Sequence, residues 1–232
     1  MTNAKLTRPI RACMFDLDGT LIDTLSDFHV ALNQMLRELG RPELARDVVG
    51  RMVGKGSDYL LRSALLYPDP WSETAEVAMD DALYRRAWDV YQAAYEAING
   101  RYSDIFPGVE EGLESLKRRG LALACLTNKP VHHARTLLAA KDLSRFFGQI
   151  FGGDSFARKK PDPLPLLETC RILGTSPAHT LMVGDSVNDA AAARAAGCPT
   201  VLVSYGYNHG RPVRQIDADA YLDRISELPG LL

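Results

Sequence analysis

The segment RACMFDLDGTL at residues 11–21 places two carboxylates directly behind a short apolar run. On an extended strand, residues two apart point the same way, so Asp16 and Asp18 are expected to project together from its carboxyl end. Gly19 then allows the backbone to turn and to bring its N–H towards a ligand. Ligands of open α/β sheets bind outside the carboxyl ends of the strands. The segment therefore predicts both a sheet and a site at its edge.

Short apolar runs alternate with helix-like segments through the second half of the chain. Besides residues 11–15, strands are predicted at 121–126, 149–151, 180–183 and 200–203. Helices are predicted at 109–119, 130–140, 163–173 and 188–196. Strands joined by helices in this way predict an α/β fold, a doubly wound parallel sheet with a Rossmann-like core.

Residues 24–100 interrupt this alternation with helical patterns alone. Helices are predicted from Thr24 or Ser26 to Gly40 and at 43–52, 57–66 and 73–98. A chain of 232 residues corresponds to about 1.5 domains, so the extra half is expected to be an inserted all-helical cap. The predicted boundaries are residues 1–23 and 101–232 for the core and residues 24–100 for the cap.

Composition and charge exclude several classes of partner. The chain has 27 basic and 29 acidic side chains, a net charge of −2, which argues against nucleic-acid binding and binding to anionic membranes. No apolar stretch approaches 18 residues, and the first ten residues carry no secretory signal, so we expect a cytoplasmic protein with no membrane partner. The four cysteines are expected to be free, buried thiols. The sequence does not distinguish a monomer from a homodimer.

Three further motifs follow predicted strands or lie in the loops between them. Thr127 and Asn128 suit an anion at a helix start, although the same pair is an ordinary helix cap. Lys160 is able to pair with a phosphate and with carboxylates, although basic loops are often simply solvated. Asp185 and Asp189 are four apart, so they face one side of a helix start, where they would also suit the helix dipole.

If these motifs lie close together in the fold, their combined charge predicts a bound ion. Four carboxylates and Lys160 sum to −3, which a compact pocket would not tolerate without a further cation. A hard divalent ion with oxygen ligands resolves the conflict, and Mg²⁺ with carboxylates, waters and a substrate phosphate fits best. The residues alone therefore predict metal-assisted phosphoryl chemistry.

Taken together, the motifs D16-L-D-G-T-L, T127-N, K160-P and G184-D-S-V-N-D189 resemble, in order and spacing, those of the haloacid dehalogenase-like phosphohydrolase superfamily. The helical insertion after the first motif resembles the cap of its C1-type members. The run from Gly184 to Pro199 and the tail from Val203 to Gly210 are most similar to bacterial phosphoglycolate phosphatases. The resemblance covers essentially the whole chain.

The resemblance implies a role for each motif residue. Asp16 would attack phosphorus to give an aspartyl-phosphate, and Asp18 would protonate the leaving alkoxide and later activate water. Mg²⁺ would be bound by the Asp16 carboxylate, the Asp18 backbone carbonyl and Asp185, with Asp189 supporting the metal's water shell or Lys160. The residues expected to hold the phosphoryl group are Gly19, Thr127, Asn128 and Lys160.

The resemblance also bears on the substrate. Dehalogenases and phosphonatases of the superfamily lack an aspartate two places after the nucleophile, so Asp18 favours a phosphate ester. In the cap, Lys55 lies in a loop that would reach over the site and could pair with the carboxylate of 2-phosphoglycolate; an exposed turn lysine is the alternative. The histidines His132, His133 and His209 are assigned to surface or packing.

The resulting expectation is a Mg²⁺-dependent phosphatase of a small phosphorylated metabolite, with 2-phosphoglycolate preferred. The alternatives are a sugar-phosphate or nucleotide phosphatase, a β-phosphoglucomutase-like mutase and, from a different class, a non-catalytic binding module on the same scaffold. The complete set of motif residues argues against the binding module.

Overall fold

The structure, a computed structural model, describes residues 8–67 and 80–232. Its strands are β1 (Ala12–Phe15), β2 (Ile22–Asp23), β3 (Asp104–Ile105), β4 (Ala122–Leu126), β5 (Gln149–Phe151), β6 (Thr180–Gly184), β7 (Thr200–Val203) and β8 (Ala220–Leu222). Its α-helices are α1 (Leu25–Glu38), α2 (Arg46–Met52), α3 (Ser57–Leu66), α4 (Asp81–Ile98), α5 (Val109–Arg118), α6 (Val131–Ala140), α7 (Leu164–Leu173) and α8 (Val187–Ala196).

Six strands form one parallel sheet in the order β5-β4-β1-β6-β7-β8. The central strand β1 is fully buried because it pairs on both sides and is covered by apolar clusters on both faces. Continuous apolar runs are typical of such doubly covered parallel strands. The predicted α/β fold with a doubly wound parallel sheet is confirmed.

The helices α1 to α4 build a second apolar cluster of their own. Phe28, Leu32 and Leu36 of α1 are buried against Tyr91 and Tyr95 of α4. This packing follows from the helical spacing of the apolar residues, which places them on one face of each helix. The predicted helix at 73–98 is described from Asp81 onwards; its first residues, 73–79, lie outside the described part of the chain.

Three short strands were not predicted from the sequence. Strand β8 has only three residues between acidic neighbours, so it carries no clear apolar run. Strands β2 and β3 have two residues each and pair antiparallel, Ile22 with Ile105 and Asp23 with Asp104. This ribbon lies where the chain enters and leaves the helical segment. Elements this short depend on partners far along the chain rather than on their own pattern.

Helix α1 ends at Glu38, two residues before the predicted end at Gly40, and α2 begins at Arg46, three residues later than predicted. Such offsets are usual at frayed helix ends. All four cysteines are buried and free. Within residues 8–67 and 80–232, no helix combines the length and the apolar character needed to cross a membrane.

Candidate active site

The turn after β1 holds the two aspartates at the carboxyl edge of the sheet. The Asp16 backbone N–H donates to the Val183 carbonyl of β6, and the Leu17 N–H donates to Asp16 Oδ1 at 2.8 Å. Leu17 and Leu21 are fully buried and anchor the turn in the core. Asp16 and Asp18 therefore leave the sheet on a backbone that packing holds in place.

Gly19 is required where this turn meets Asp185. Its φ is +84°, and a Cβ added there would lie 2.3 Å from Asp185 Oδ2. No larger side chain fits without moving that carboxylate. The glycine thus allows the first motif and the β6 motif to approach each other at backbone distance.

Lys160 lies between the nucleophile candidate and the last aspartate. Its Nζ is 3.1 Å from Asp16 Oδ1 and 2.6 Å from Asp189 Oδ1, and it donates to the Leu126 carbonyl at 2.8 Å. Its side chain is 2% exposed. Burial lowers the pKa of Lys160, but the two carboxylates outweigh this, so the pKa lies above its usual value. The ammonium group therefore stays charged and fully paired.

Asp189 is fully buried and uses both of its oxygens inside the protein. Besides Lys160, it accepts hydrogen bonds from the Ser186 hydroxyl at 2.8 Å and from the backbone N–H groups of Ser186 and Asp185. The Ser186 contacts form a capping box at the start of α8. Asp189 thus acts as a helix-capping residue and as a partner of Lys160 at the same time.

Asp185 points into the same cluster from the end of β6. Its Oδ2 accepts the backbone N–H of Tyr207 at 2.7 Å, and Thr20 Oγ1 lies 3.4 Å from Oδ1. One carboxylate oxygen from each of Asp16, Asp185 and Asp189 lies within 4.8 Å of the others. Asp185 and Asp189 follow Asp16 by 169 and 173 residues in the chain, and the fold brings all three together.

This crowding has a consequence for protonation. Burial raises the pKa of the Asp16 carboxyl to about 6, against the pull of Lys160 and with a further contribution from Asp189 and Asp18. Burial also raises the pKa of Asp185 well above its usual value, and Asp189 and Asp16 add to the rise. Three buried carboxylates with one lysine between them need further positive charge, and Asp16 and Asp185 offer hard oxygen donors, because both Asp189 oxygens are engaged within the protein. That donor set fits Mg²⁺.

Thr127 and Asn128 follow β4 and border the same space. Thr127 Oγ1 accepts the Lys129 backbone N–H at 3.2 Å. This bond lies before α6, whose own N-cap residue makes no side-chain cap. The Asn128 amide donates to the Lys160 carbonyl at 2.9 Å and to the Gly54 carbonyl at 3.2 Å. Asn128 therefore ties the sheet edge to the loop between α2 and α3.

Lys129 is a site residue that the sequence patterns did not single out. Its Nζ is 2.9 Å from Asp18 Oδ1 and 3.2 Å from Oδ2, and its side chain is 2% exposed. The ammonium also lies 4.4 Å from the ring centroid of Phe28 and 4.8 Å from that of Tyr95. The sequence shows a lysine directly after Thr127 and Asn128. The direction of its side chain, however, depends on helices that are distant in the sequence.

A small cavity of about 30 Å³ lies between the sheet edge and the helices. Its walls combine Asp16, Asp18 and the 127–129 segment with Phe28, Val53, Gly54, Gly56, Ser57 and Leu60 of the helical segment. Lys55 lies outside this cavity. Its ammonium is 4.6 Å from the Tyr59 ring centroid, and it lines a neighbouring groove of about 840 Å³. The loop does reach the site, but through the backbone around Lys55.

Tyr207 is a second residue that the sequence patterns did not assign. Its hydroxyl accepts the backbone N–H groups of Thr24 and Leu25 and donates to Asp23 Oδ1 at 2.7 Å. The start of α1 has no cap from the side chain of Thr24, so the tyrosine supplies it. Because the backbone N–H of Tyr207 also binds Asp185, one residue connects the acidic cluster with the first helix.

The histidines lie outside the acidic cluster. His132 is exposed, and its Nε2 lies 3.8 Å from Glu96 Oε1. His133 packs edge-on against Tyr95, with ring centroids 5.1 Å apart. His209 contacts the Arg51 carbonyl through Nδ1 at 3.1 Å. These contacts agree with the assignment to surface and packing.

Comparison with known proteins assigns the chain to a family. Residues 10–197 match the model of the haloacid dehalogenase-like hydrolases. The chain is 42% identical to a phosphoglycolate phosphatase of Nitrosospira multiformis, covering 97% of this chain and 96% of that one. It is 43% identical to a plasmid-encoded phosphoglycolate phosphatase of Cupriavidus necator, covering 99% and 96%.

A solved structure supports the same assignment. The crystal structure of a predicted phosphoglycolate phosphatase from Haemophilus somnus superposes with a TM-score of 0.90 at 31% identity, covering 97% of this chain and 99% of that one. The agreement in fold extends over both the sheet and the helical segment. With its motif residues gathered at one sheet edge, the chain belongs to the haloacid dehalogenase-like hydrolase family.

Proposed function

We propose that this chain, a phosphatase of its family, hydrolyses 2-phosphoglycolate to glycolate and phosphate. The observation that carries the proposal is the position of Asp16: a carboxylate beside Lys160, on the wall of a cavity that it shares with Asp18. The relatives named phosphoglycolate phosphatase support the choice of substrate.

The reaction divides into two displacements at phosphorus. In the first, an Asp16 oxygen forms a bond to phosphorus while the bond to the alkoxide oxygen breaks, and Asp18 gives that oxygen a proton. In the second, Asp18 takes a proton from water, the water oxygen attacks phosphorus, and the bond to Asp16 breaks. Phosphate leaves, and both aspartates return to their initial states.

The remaining motif residues hold charge and position. Lys160 lies against Asp16, where its ammonium would offset charge on the phosphoryl oxygens. The Thr127 hydroxyl would donate to the same group. The Gly19 N–H donates to the Ile22 carbonyl, and the Asn128 amide donates to the Lys160 and Gly54 carbonyls, so these two would have to exchange partners to bind it.

The acidic cluster would hold Mg²⁺ through the Asp16 carboxylate, the Asp18 backbone carbonyl and Asp185. Asp189 would support it from behind, since its oxygens are already bound to Lys160 and to the start of α8. The ion would supply positive charge to the phosphoryl oxygens and keep the crowded carboxylates ionised.

The organisation of the chain follows from this proposal. Residues 24–100 would act as a cap that closes over the site and excludes bulk water, and residues 1–23 and 101–232 would form the catalytic core. The separate apolar cluster of α1 to α4 supports that division. We also propose that the protein is cytoplasmic. A native mass measurement would distinguish a monomer from a homodimer.

A phosphate-release screen over small phosphomonoesters, with and without Mg²⁺, tests the function. The expected result is metal-dependent release with 2-phosphoglycolate preferred over hexose phosphates and nucleotides. Preference for a sugar phosphate or a nucleotide would contradict the substrate alone. Isomerisation of a sugar phosphate without net release would indicate a mutase. No turnover of any ester would contradict the enzyme and favour a binding module.

A further inference from the structure

The cavity contains a buried cation that the two displacements do not use. Lys129 is the only basic residue among the described residues that line it. Its Nζ contacts both oxygens of Asp18, and two aromatic rings cover it, with Phe28 and Tyr95 stacked at 5.3 Å between centroids. A lysine ammonium has three N–H donors, so one whose described carboxylate partner is Asp18 can still donate to a further anion.

The other nearby cations are differently placed. Lys159 is exposed, although its Nζ would lie 3.0 Å from a Cβ added at Gly56. Lys160 is enclosed by Asp16, Asp189 and the Leu126 carbonyl. Lys55 lies over Tyr59 in the neighbouring groove. Arg51 pairs with Asp47 at 2.7 Å, and both side chains are exposed. Among residues 8–67 and 80–232, Lys129 alone combines burial with a place on the cavity wall beside Asp18.

The position of Asp18 relates Lys129 to the leaving group. As the acid of the first displacement, Asp18 must contact the oxygen that bridges phosphorus and carbon. In 2-phosphoglycolate a single methylene separates that oxygen from the carboxylate. A cation 2.9 Å from Asp18 therefore lies within a few ångströms of where the carboxylate comes to rest.

We propose that Lys129 determines specificity by binding the carboxylate of the leaving group. This inference rests on the proposed function, because it concerns the substrate of the same site. The ammonium shares its donors between Asp18 and the substrate carboxylate. Phe28 and Tyr95 restrict the ammonium to that place, and since both belong to the helical segment, the selective position exists only when that segment lies against the sheet.

Two phosphonates that differ only at the far end provide the test. In 3-phosphonopropanoate a methylene replaces the bridging oxygen of 2-phosphoglycolate, and propylphosphonate carries a methyl group where the carboxylate would be. We expect the wild-type protein with Mg²⁺ to bind the first about 10- to 100-fold more tightly, as for a hydrogen bond between charged groups. Titration calorimetry measures both affinities. In Lys129→Met the ratio should fall to near one.

Control variants separate a direct contact from a general disturbance. Lys129→Arg keeps the charge and should retain part of the preference, while Lys117→Met removes an exposed lysine beside Arg145 and should leave the ratio unchanged. Thermal unfolding checks each fold. If Lys129→Met does not fold, Lys129→Gln provides the same comparison with a side chain that keeps polar contacts but no charge.

The outcomes are distinct from those that test the function. A wild-type ratio near one, or a wild-type ratio retained in Lys129→Met, overturns the inference even if 2-phosphoglycolate is hydrolysed. Loss of the preference in Lys55→Met but not in Lys129→Met overturns it in favour of the loop lysine. Failure of the wild-type protein to hydrolyse 2-phosphoglycolate contradicts the proposed function by itself, whatever the binding ratio shows.

Discussion

Each aspartate of the first motif forms an ion pair with a buried lysine, and the two lysines have different surroundings. Lys160 pairs with Asp16 and Asp189, and all its described partners belong to the sheet edge and the loops that follow it. Lys129 pairs with Asp18 and lies against Phe28 and Tyr95 of the helical segment. One ammonium is enclosed by the core alone, whereas the other is enclosed only where two parts of the molecule meet.

The two lysines therefore contribute to different parts of the proposed reaction. Chemistry at phosphorus needs charges whose positions do not change, and the Lys160 side provides them through hydrogen bonds within the core. Selection of the leaving group needs a place beside Asp18, and the Lys129 side provides it through packing against Phe28 and Tyr95 of the helical segment. Four predictions test whether the two sides differ as described.

The largest effect is expected on the Lys160 side. Asp16→Asn should lower kcat by about 10⁴-fold or more, because an amide does not replace a carboxylate nucleophile. The fold should persist, since the side chains have the same size. Phosphate release and thermal unfolding measure both properties. Asp142→Asn, at an exposed aspartate that contacts Arg145, is the control. Normal turnover by Asp16→Asn would refute the assignment of the nucleophile.

Removal of each ammonium should separate the two sides by stability. Lys160→Met leaves Asp189 fully buried without its cation, and we expect a loss of about 3–5 kcal/mol in the free energy of unfolding. Lys129→Met leaves Asp18 at the wall of a cavity, where water is able to enter, so its loss should be less than half as large. Urea unfolding measures both against Lys117→Met. Equal losses would contradict the comparison.

The acidic cluster should make stability depend on pH and on Mg²⁺. The pKa of Asp16 rises from 3.8 to about 6 on folding, so the folded protein binds more protons between these values than the unfolded chain. Without metal, the free energy of unfolding should therefore fall as the pH rises through this window, by about 2–3 kcal/mol for Asp16 alone. The raised pKa of Asp185 acts in the same direction.

Mg²⁺ should offset that loss because it binds the ionised, folded cluster. The rise in Tm on adding Mg²⁺ should accordingly be larger at pH 7 than at pH 5, as measured by calorimetry. Asp185→Asn should reduce the difference between the two pH values. An equal rise in Tm at both would show that the cluster does not titrate as described.

The smallest effect concerns the connection between the two sides. Tyr207→Phe removes the hydroxyl that caps α1 and binds Asp23, which should cost about 1–2 kcal/mol. Tyr205→Phe, which removes one hydrogen bond to the Thr20 carbonyl, should cost about 1 kcal/mol or less. Urea unfolding compares them. A larger loss in Tyr205→Phe would argue against Tyr207 as the connecting residue.

Much of the fold was accessible from local patterns. The strand before Asp16 and the strand before Asp185 were predicted because continuous apolar runs identify buried parallel strands. Helix α1 was predicted from the spacing of its apolar residues. Strand β8 and the β2–β3 ribbon were not, because two or three residues carry too little pattern of their own.

The candidate site divides in the same way. Asp16, Asp18, Asp185 and Asp189 follow strands, and parallel strands of one sheet end at a common edge, so their convergence was predictable. Lys129 pairs with Asp18 across 111 residues of sequence. Its direction depends on Phe28 and Tyr95, and no local pattern encodes the packing of two helices against a turn.

By itself, the sequence determined the residue types, their order and the periodicities that produce a sheet with acidic turns at its edge. Local backbone sterics and the spacing of apolar residues act over a few residues, so short segments are enough to predict strands, helices and turns. Only the tertiary structure decided which lysine meets which aspartate, that Lys55 lies outside the cavity, and that Tyr207 connects the acidic cluster to α1. Those contacts depend on packing between distant segments, where small differences in position decide which charges pair.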